Sequence, residues 1–447
     1  MATRSGVLGP RGAGGRVEGP ATRAALKPGH PSVLLSVVVA ALVLLGLVMI
    51  LSASSVSSFA TYGSSFLFFK RQLLWAAIGL VVFVFFVRMD YRRLRGWGYL
   101  SYAVAVGLLL AVLIPGAGTS VGGSARWLSA GPLSFQPSEI AKLALVLFAA
   151  DVFSRKKEER FDSLAHTAIP LLPALAVLAV LVMLQPDLGT TLMLGSIGLG
   201  LLFVAGAPFR FMAPILSASI ALTAAAAFSE PYRRARVLAF LNPWADPYNT
   251  GYQTIQSLVA MGSGGWFGVG LGASRQKWLY VPNAHTDFIY AILGEEMGLL
   301  GSLVVLGLFV FLTWLGIRTA HRAPDRFGTL VAAGITIWIA VQALINMGAV
   351  TGVLPITGVP LPLVSFGGTS LVVSLAAMGV LINIAHRGEL AAAGFDRYAA
   401  RPRPRRRPPA RPRQRPQRAK GSATKRRRAP NPPRRRRPRA RPPARRR

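Results

Sequence analysis

The sequence predicts an all-α polytopic membrane protein of about ten transmembrane helices, with both termini cytoplasmic. Three observations predict it. Runs such as PSVLLSVVVAALVLLGLVMILSA and LLPALAVLAVLVML approach or exceed the roughly 20 apolar residues needed to cross a bilayer. Polar faces at helical period, which a water-soluble fold would need, do not break these runs. Basic residues gather in alternate short connections, and the side they mark is the cytoplasm.

Taken in order, residues 1–31 form a basic, Gly/Pro-rich, disordered cytoplasmic start. The first apolar run is longer than a signal-peptide core and shows no small-residue cleavage site, so it is read as a retained span. The membrane domain covers 32–390, with spans near 32–54, 72–88, 97–114, 138–153, 167–184, 188–206, 209–228, 287–317, 328–350 and 367–386. The connections RMDYRRLRG, SRKKEERFD, APFR and RTAHRAPDR carry most of the basic charge outside the tail. Lys70 and Arg71, at the outer end of the second span, can snorkel. The outside then consists of 55–66, 115–137, a tight turn at 185–187, a large loop at 229–286 between spans seven and eight, and 351–366. The tail, 391–447, is Arg/Pro-rich and too poor in apolar residues to fold. Residues 397–447 hold 24 Lys/Arg and no acid, so they carry +24 of the net charge of +35. Anionic membrane lipids are the expected partner of that tail, at about 1 kcal/mol per basic residue near the surface; nucleic acid is the less favoured one. Absence of cysteine excludes disulfides and thiolate metal sites, and the five histidines lack metal-site spacing.

Polar residues gather at the outer ends of spans, and function is expected there. In SARWLSAGPLSFQPSEIAK, Arg126 lies in an outer loop, while Glu139 and Lys142 share a helix face. Proline and an acid suit a first helical turn, but a lysine at lipid depth needs a cavity or a partner. Asp187 in QPDLGTT opens the next span and has the same helix-start explanation. The large loop holds Arg233, Arg234 and Arg236, which need something anionic, then an amphipathic segment, GYQTIQSLVAMGSGG, and Lys277 among interfacial aromatics. In YVPNAHTDFIYAILGEE, His285, Thr286 and Asp287 stand at the mouth of span eight. Either Thr286 or Asp287 could cap that helix, but His and Asp together exceed what a cap requires. On a regular helix Glu295 lies roughly 12 Å deeper than Asp287, and Glu296 faces the opposite side; one of the two glutamates is expected to pair with an interior cation or a neighbouring helix. The Pro/Gly-rich segment TGVLPITGVPLPLVSFGGTS, with Ser365 and Gly367, reads as a pocket wall.

Five of these segments, in order, resemble the SEDS family (shape, elongation, division and sporulation), the FtsW/RodA proteins of bacterial cell-wall synthesis: ARWLSAGPLSFQPSEIAK, QPDLGT, FLNPWADPYNTGYQTIQS, GVGLGASRQKWLYVPNAHTDFIYAILGEEMG and LINMGAVTGVLPITGVPLPLVSFGGTS. The PNAH spelling and the basic tail are similar to actinobacterial FtsW members, with Asn283 standing where many members have glutamate. The resemblance implies a peptidoglycan glycosyltransferase that polymerises lipid II at the outer face of a bacterial cytoplasmic membrane, at the division septum. A class B penicillin-binding transpeptidase and other divisome proteins are the implied partners. It places the essential acid on Asp287. The chemistry agrees, since inverting transfer needs one general base and no carboxylate nucleophile. The departing diphosphate wants cations, for which Arg126, Lys142 and Lys277 are candidates, alone or with a divalent metal, Mg or Mn. His285, Thr286, Ser365 and Gly367 are expected around the substrate, with Glu139, Asp187, Glu295 and Glu296 supporting. The alternatives are a lipid II flippase, which would show midplane ionisable residues and related halves, and a non-enzymatic divisome scaffold.

Overall fold

The computed structural model of the chain describes residues 30–116, 118–121, 124–130, 133–156, 169–278 and 280–394. The expected disordered start and most of the basic tail lie outside the described residues. Each of the ten expected spans coincides with a helix: α1 (Pro31–Tyr62), α2 (Leu67–Arg88), α3 (Gly98–Leu113), α4 (Pro137–Ser154), α5 (Leu171–Met183), α6 (Leu188–Val204), α7 (Phe209–Phe228), α10 (Ile289–Arg322), α11 (Arg326–Val350) and α12 (Gly368–Ala392). Two further helices, α8 (Pro231–Leu241) and α9 (Tyr252–Ser263), lie in the large outer loop; α9 is the expected amphipathic segment. Among the described residues, seven helices are long and apolar enough to cross a membrane, and α5 and α6 are apolar but shorter. The chain is a multi-pass membrane protein.

The core follows from burial of apolar helix faces against one another. Helix α12 runs through the centre, packed along α2 and against α1, α4, α10 and α11. Its first residue, Gly368, lies against the Trp75 ring so closely that a Cβ would come within 2.2 Å, so no side chain fits there. Helix α7 is the opposite case: Ala227 is its only buried residue, and it rests mainly on α6 and α8.

The end of the bundle that carries the basic connections is laced by acids. Asp325 caps α11 through the Gly328 amide at 2.8 Å and also meets the Tyr91 hydroxyl and Arg92. Asp151 is held by both nitrogens of the Arg155 fork at 2.8 and 2.9 Å. Glu389, near the end of α12, accepts the backbone amide and the hydroxyl of Ser32, each at 2.8 Å, and so ties the start of α1 to the end of the last helix.

Three expectations change. The segment 55–66 is largely a continuation of α1, which runs to Tyr62. The loop 115–137 is not irregular; it holds an antiparallel sheet, β1 (Gly118–Val121), β2 (Ser124–Ala130) and β3 (Leu133–Phe135), in the order β1-β2-β3. Most consequential, α10 is not a regular helix. It breaks at Gly298, with φ 70° and ψ −168°, a conformation essentially confined to glycine. The Tyr290 hydroxyl donates to the Ser302 carbonyl at 3.1 Å, whereas twelve residues of straight helix span about 18 Å. The first half of α10 is therefore folded back on the second.

Candidate active site

The break in α10 frees backbone groups that another segment takes up. The carbonyls of Glu295 and Glu296 accept the amides of Val269 and Gly270, and the amides of Leu299 and Leu300 donate to Gly265 and Trp266. Close approach is what the glycines of GSGGWFGVG permit: a Cβ on Gly268 would lie 2.1 Å from the Glu296 carbonyl. The two glutamate side chains finish the join. Glu295 accepts the Ser274 hydroxyl and the Arg275 amide, while Glu296 accepts the Ser52 hydroxyl and lies 3.7 Å from Lys277. Lys277 also donates to the Gly272 carbonyl. The expected pairing of one glutamate with an interior cation is thus Glu296 with Lys277. Asp287 and Glu295 both precede the break, so what changes is their placement relative to the rest of α10 and not their spacing from each other.

Folding the half-helix back brings its N-terminal end, with Asp287, into the bundle beside α11. The Asn346 amide donates to the carbonyls of both Asp287 and Val359, each at 2.8 Å. Neither Thr286 nor Asp287 caps the helix: the cap position is Phe288, without a side-chain hydrogen bond. Instead Thr286 donates to the Asn283 carbonyl at 3.1 Å, closing a tight turn in which Asn283 adopts φ 56°, a left-handed conformation that asparagine tolerates well. His285 stacks on Phe68, with ring centroids 4.8 Å apart, and burial pushes its pKa down to about 4, so it is neutral at neutral pH and offers no positive charge to an anion.

The segment 351–366 faces Asp287. Gly358, at φ 73°, lies against it: a Cβ there would stand 3.6 Å from Asp287 Oδ2. Ser365 closes the segment by accepting the Leu361 amide at 2.8 Å, and the Gly367 amide donates to Gln72. Both shape the wall rather than offer polar groups to it. Lys142 supports the same wall from behind. Its ammonium donates to Glu139 at 2.9 Å and to Gln342 at 2.8 Å, over the face of Trp338, and Gln342 in turn donates to the Pro360 carbonyl.

These contacts sort the candidates. Lys142 and Lys277, with side chains 1% and 8% exposed, are committed to internal carboxylates, so this arrangement does not present them to a diphosphate. Arg126 is 31% exposed; it donates to the carbonyls of Gln185 and Pro186 and lies 3.9 Å from Asp187. Asp187 caps α6 through the amide and hydroxyl of Thr190, as its helix-start reading predicts. Among the described residues the Asp287 carboxylate alone of the candidate acids makes no hydrogen bond or ion pair. Burial pushes it up to about 6; Arg236 pulls it down, Asp187 pushes it up and Arg126 pulls it down. Arg236, half-buried on α8, is the member of the site that the sequence did not single out. Its signal was there in three arginines within an outer loop.

A half-buried acid with a raised pKa, held in place by its backbone and flanked by two arginines, suits proton abstraction beside an anionic leaving group. A protein-held metal does not fit the described residues: no three of their His, Asp or Glu side chains come together.

Comparison with known proteins gives the family. Residues 32–389 match the FtsW/RodA/SpoVE family, described as cell cycle protein. Stage V sporulation protein E of Bacillus subtilis is 45% identical over 363 residues, covering 80% of this chain and 98% of the relative. The probable peptidoglycan glycosyltransferase FtsW of Mycobacterium tuberculosis is 42% identical over 361 residues, covering 80% and 69%. Among solved structures, a chain of a peptidoglycan synthase complex that coordinates polymerization and crosslinking superposes with a TM-score of 0.66 at 32% identity, covering 79% of this chain and 97% of that one. The rod shape determining protein RodA of Thermus thermophilus gives 0.58 at 29% identity, covering 79% and 95%. On the family match and these relatives together, the chain belongs to the FtsW/RodA/SpoVE family.

Proposed function

We propose that this protein is a peptidoglycan glycosyltransferase that polymerises lipid II into glycan strands at the outer face of the bacterial cytoplasmic membrane. The Asp287 carboxylate, without a hydrogen bond or ion pair and within the electrostatic reach of Arg126 and Arg236, is the observation that carries this reading. In the reaction, the acceptor sugar hydroxyl attacks the anomeric carbon of the donor, and the bond from that carbon to the diphosphate oxygen breaks. The hydroxyl proton passes to Asp287, and the polyprenyl diphosphate leaves with its charge steadied by Arg126 and Arg236. One base is enough for transfer with inversion. The helices α4, α6 and α12 and the first half of α10 all begin at this face, adding their N-terminal dipoles to the positive field.

Crossing at ten spans, division rather than elongation, and placement at the septum belong to the same proposal. So do a class B penicillin-binding transpeptidase as partner, other divisome proteins, and attraction of the basic tail to anionic lipids. The relatives named FtsW and the synthase-complex neighbour support the assignment to cell-wall synthesis. The interrupted α10 favours a second reading, lipid II transport, because broken helices recur in transporters. The polar cluster at the outer end argues against it.

The test is purified full-length protein, with a cognate transpeptidase, given labelled lipid II. The parent is expected to make long strands and Asp287→Asn none, with both folded. Equal polymer from the two removes Asp287 from the mechanism; lipid II movement across vesicles without polymer favours transport.

A further inference from the structure

The Asn346 side chain is 2% exposed on α11 and its amide nitrogen has two acceptors, the carbonyls of Asp287 and Val359. Both partners are carbonyl oxygens, so the orientation of the amide is forced: the nitrogen must face them. Its own oxygen, Oδ1, is buried with no partner. An asparagine kept for packing or for general polarity would satisfy that acceptor, since a buried unpaired oxygen costs about 1–3 kcal/mol. What this residue supplies is a pair of donors, at the one point where the acid-bearing half-helix and the wall segment meet. The wall reaches Asp287 immediately beside this bond, at Gly358.

We propose that Asn346 is a positioning residue for Asp287: by bonding the carbonyls of Asp287 and Val359 together it holds the carboxyl against the wall segment, aimed at the acceptor hydroxyl. The inference rests on the glycosyltransferase reading above. Without the tie, the start of α10 and the wall part, water enters, and Asp287 loses both its aim and its basicity. The charged groups acting on Asp287 are Arg236 from α8, Asp187 from the start of α6 and Arg126 from β2; neutral His285 is its neighbour in sequence. None of them bonds Asn346, so its substitution leaves their charges in place.

The test uses the full chain with its transpeptidase partner, assayed with labelled lipid II from pH 4.5 to 8, alongside thermal unfolding in detergent. Asn346→Ala is expected to lower kcat about 10-fold or more with KM within about twofold, and to move the acid limb of the rate profile about one pH unit down. Asn346→Asp keeps the shape, loses both donors and adds a carboxyl near Asp287, so its acid limb moves up instead. Opposite shifts in two folded variants are not the mark of a merely structural residue. Folded variants with the parental acid limb and kcat within about threefold overturn the proposal. Failure of both to fold overturns it too, because Asn346 then belongs to the fold and not to Asp287. A parent that makes no polymer strikes the glycosyltransferase reading; an Asp287→Asn variant that polymerises like the parent leaves that reading standing and overturns this inference, because Asp287 is then not the base that Asn346 aims.

Discussion

Replacing Lys277 by methionine separates a structural lysine from a substrate-binding one. Its ammonium lies 3.7 Å from Glu296, whose side chain is 0% exposed. Removing the cation leaves that carboxylate with the Ser52 hydroxyl and, at 3.4 Å, the Ser274 amide. Breaking a buried pair costs about 3–5 kcal/mol. The two remaining donors set the lower end, so about 3 kcal/mol, or roughly 150-fold in the folding equilibrium, is expected. Lys277→Met with Glu296→Gln removes both charges, and the amide can still accept from Ser52. That double variant is expected within about 1 kcal/mol of the parent, so about 2 kcal/mol more stable than Lys277→Met alone. Denaturant unfolding in detergent measures the stabilities, and polymer yield from lipid II measures the function. A double variant that recovers stability and polymerisation together places Lys277 in the framework. A double variant that folds like the parent yet makes no polymer refutes the reasoning and returns Lys277 to the substrate.

Other expectations follow from the same site. Asp287 is neutral below about pH 6 and becomes a base above it, so polymerisation should rise with pH through that value. The sign for stability is opposite: a carboxyl whose pKa is raised by folding favours the folded state below its unfolded value, and that contribution is lost as pH rises through about 6, which unfolding between pH 4 and 7 would show. Removing a neighbouring charge should move the acid limb predictably, upward in Arg236→Gln and downward in Asp187→Asn, with pH–rate profiles as the check. Gly298→Ala should fail to give a folded protein in detergent, because the backbone needs φ 70° and a Cβ would meet the Gly268 nitrogen at 2.4 Å. A cooperative, parent-like melt of that variant contradicts the described break.

Composition and apolar run length located the helices on which the expected spans fall, because each depends on a local property of the chain. The outer-end polar pattern singled out His285, Thr286 and Asp287 together, and the family resemblance picked Asp287 among them. What stayed hidden was pairing between distant segments. Nothing near Lys142 in the sequence points to Gln342, two hundred residues away, and nothing near Lys277 points to Ser52. For both lysines, burial beside a remote partner turned a plausible substrate ligand into a brace. The break in α10 was hidden for a different reason. GEEMGLLG continues a helical pattern, and only the incoming loop backbone, with donors and acceptors to exchange, makes the interruption affordable. The small sheet escaped because its strands are short, with little alternation to read.

The bond between Ser32 and Glu389 has a bearing on biosynthesis. Helix α1 finds its closing contact in a residue made 357 positions later. Gln72 and the Tyr91 amide likewise wait for partners in the final helix and the segment before it. These earlier helices must therefore sit in lipid with polar groups unmatched until α12 has been made. Nascent chains truncated before residue 389 should be sensitive to membrane quality-control proteases, and adding back the missing helix as a separate polypeptide should protect them.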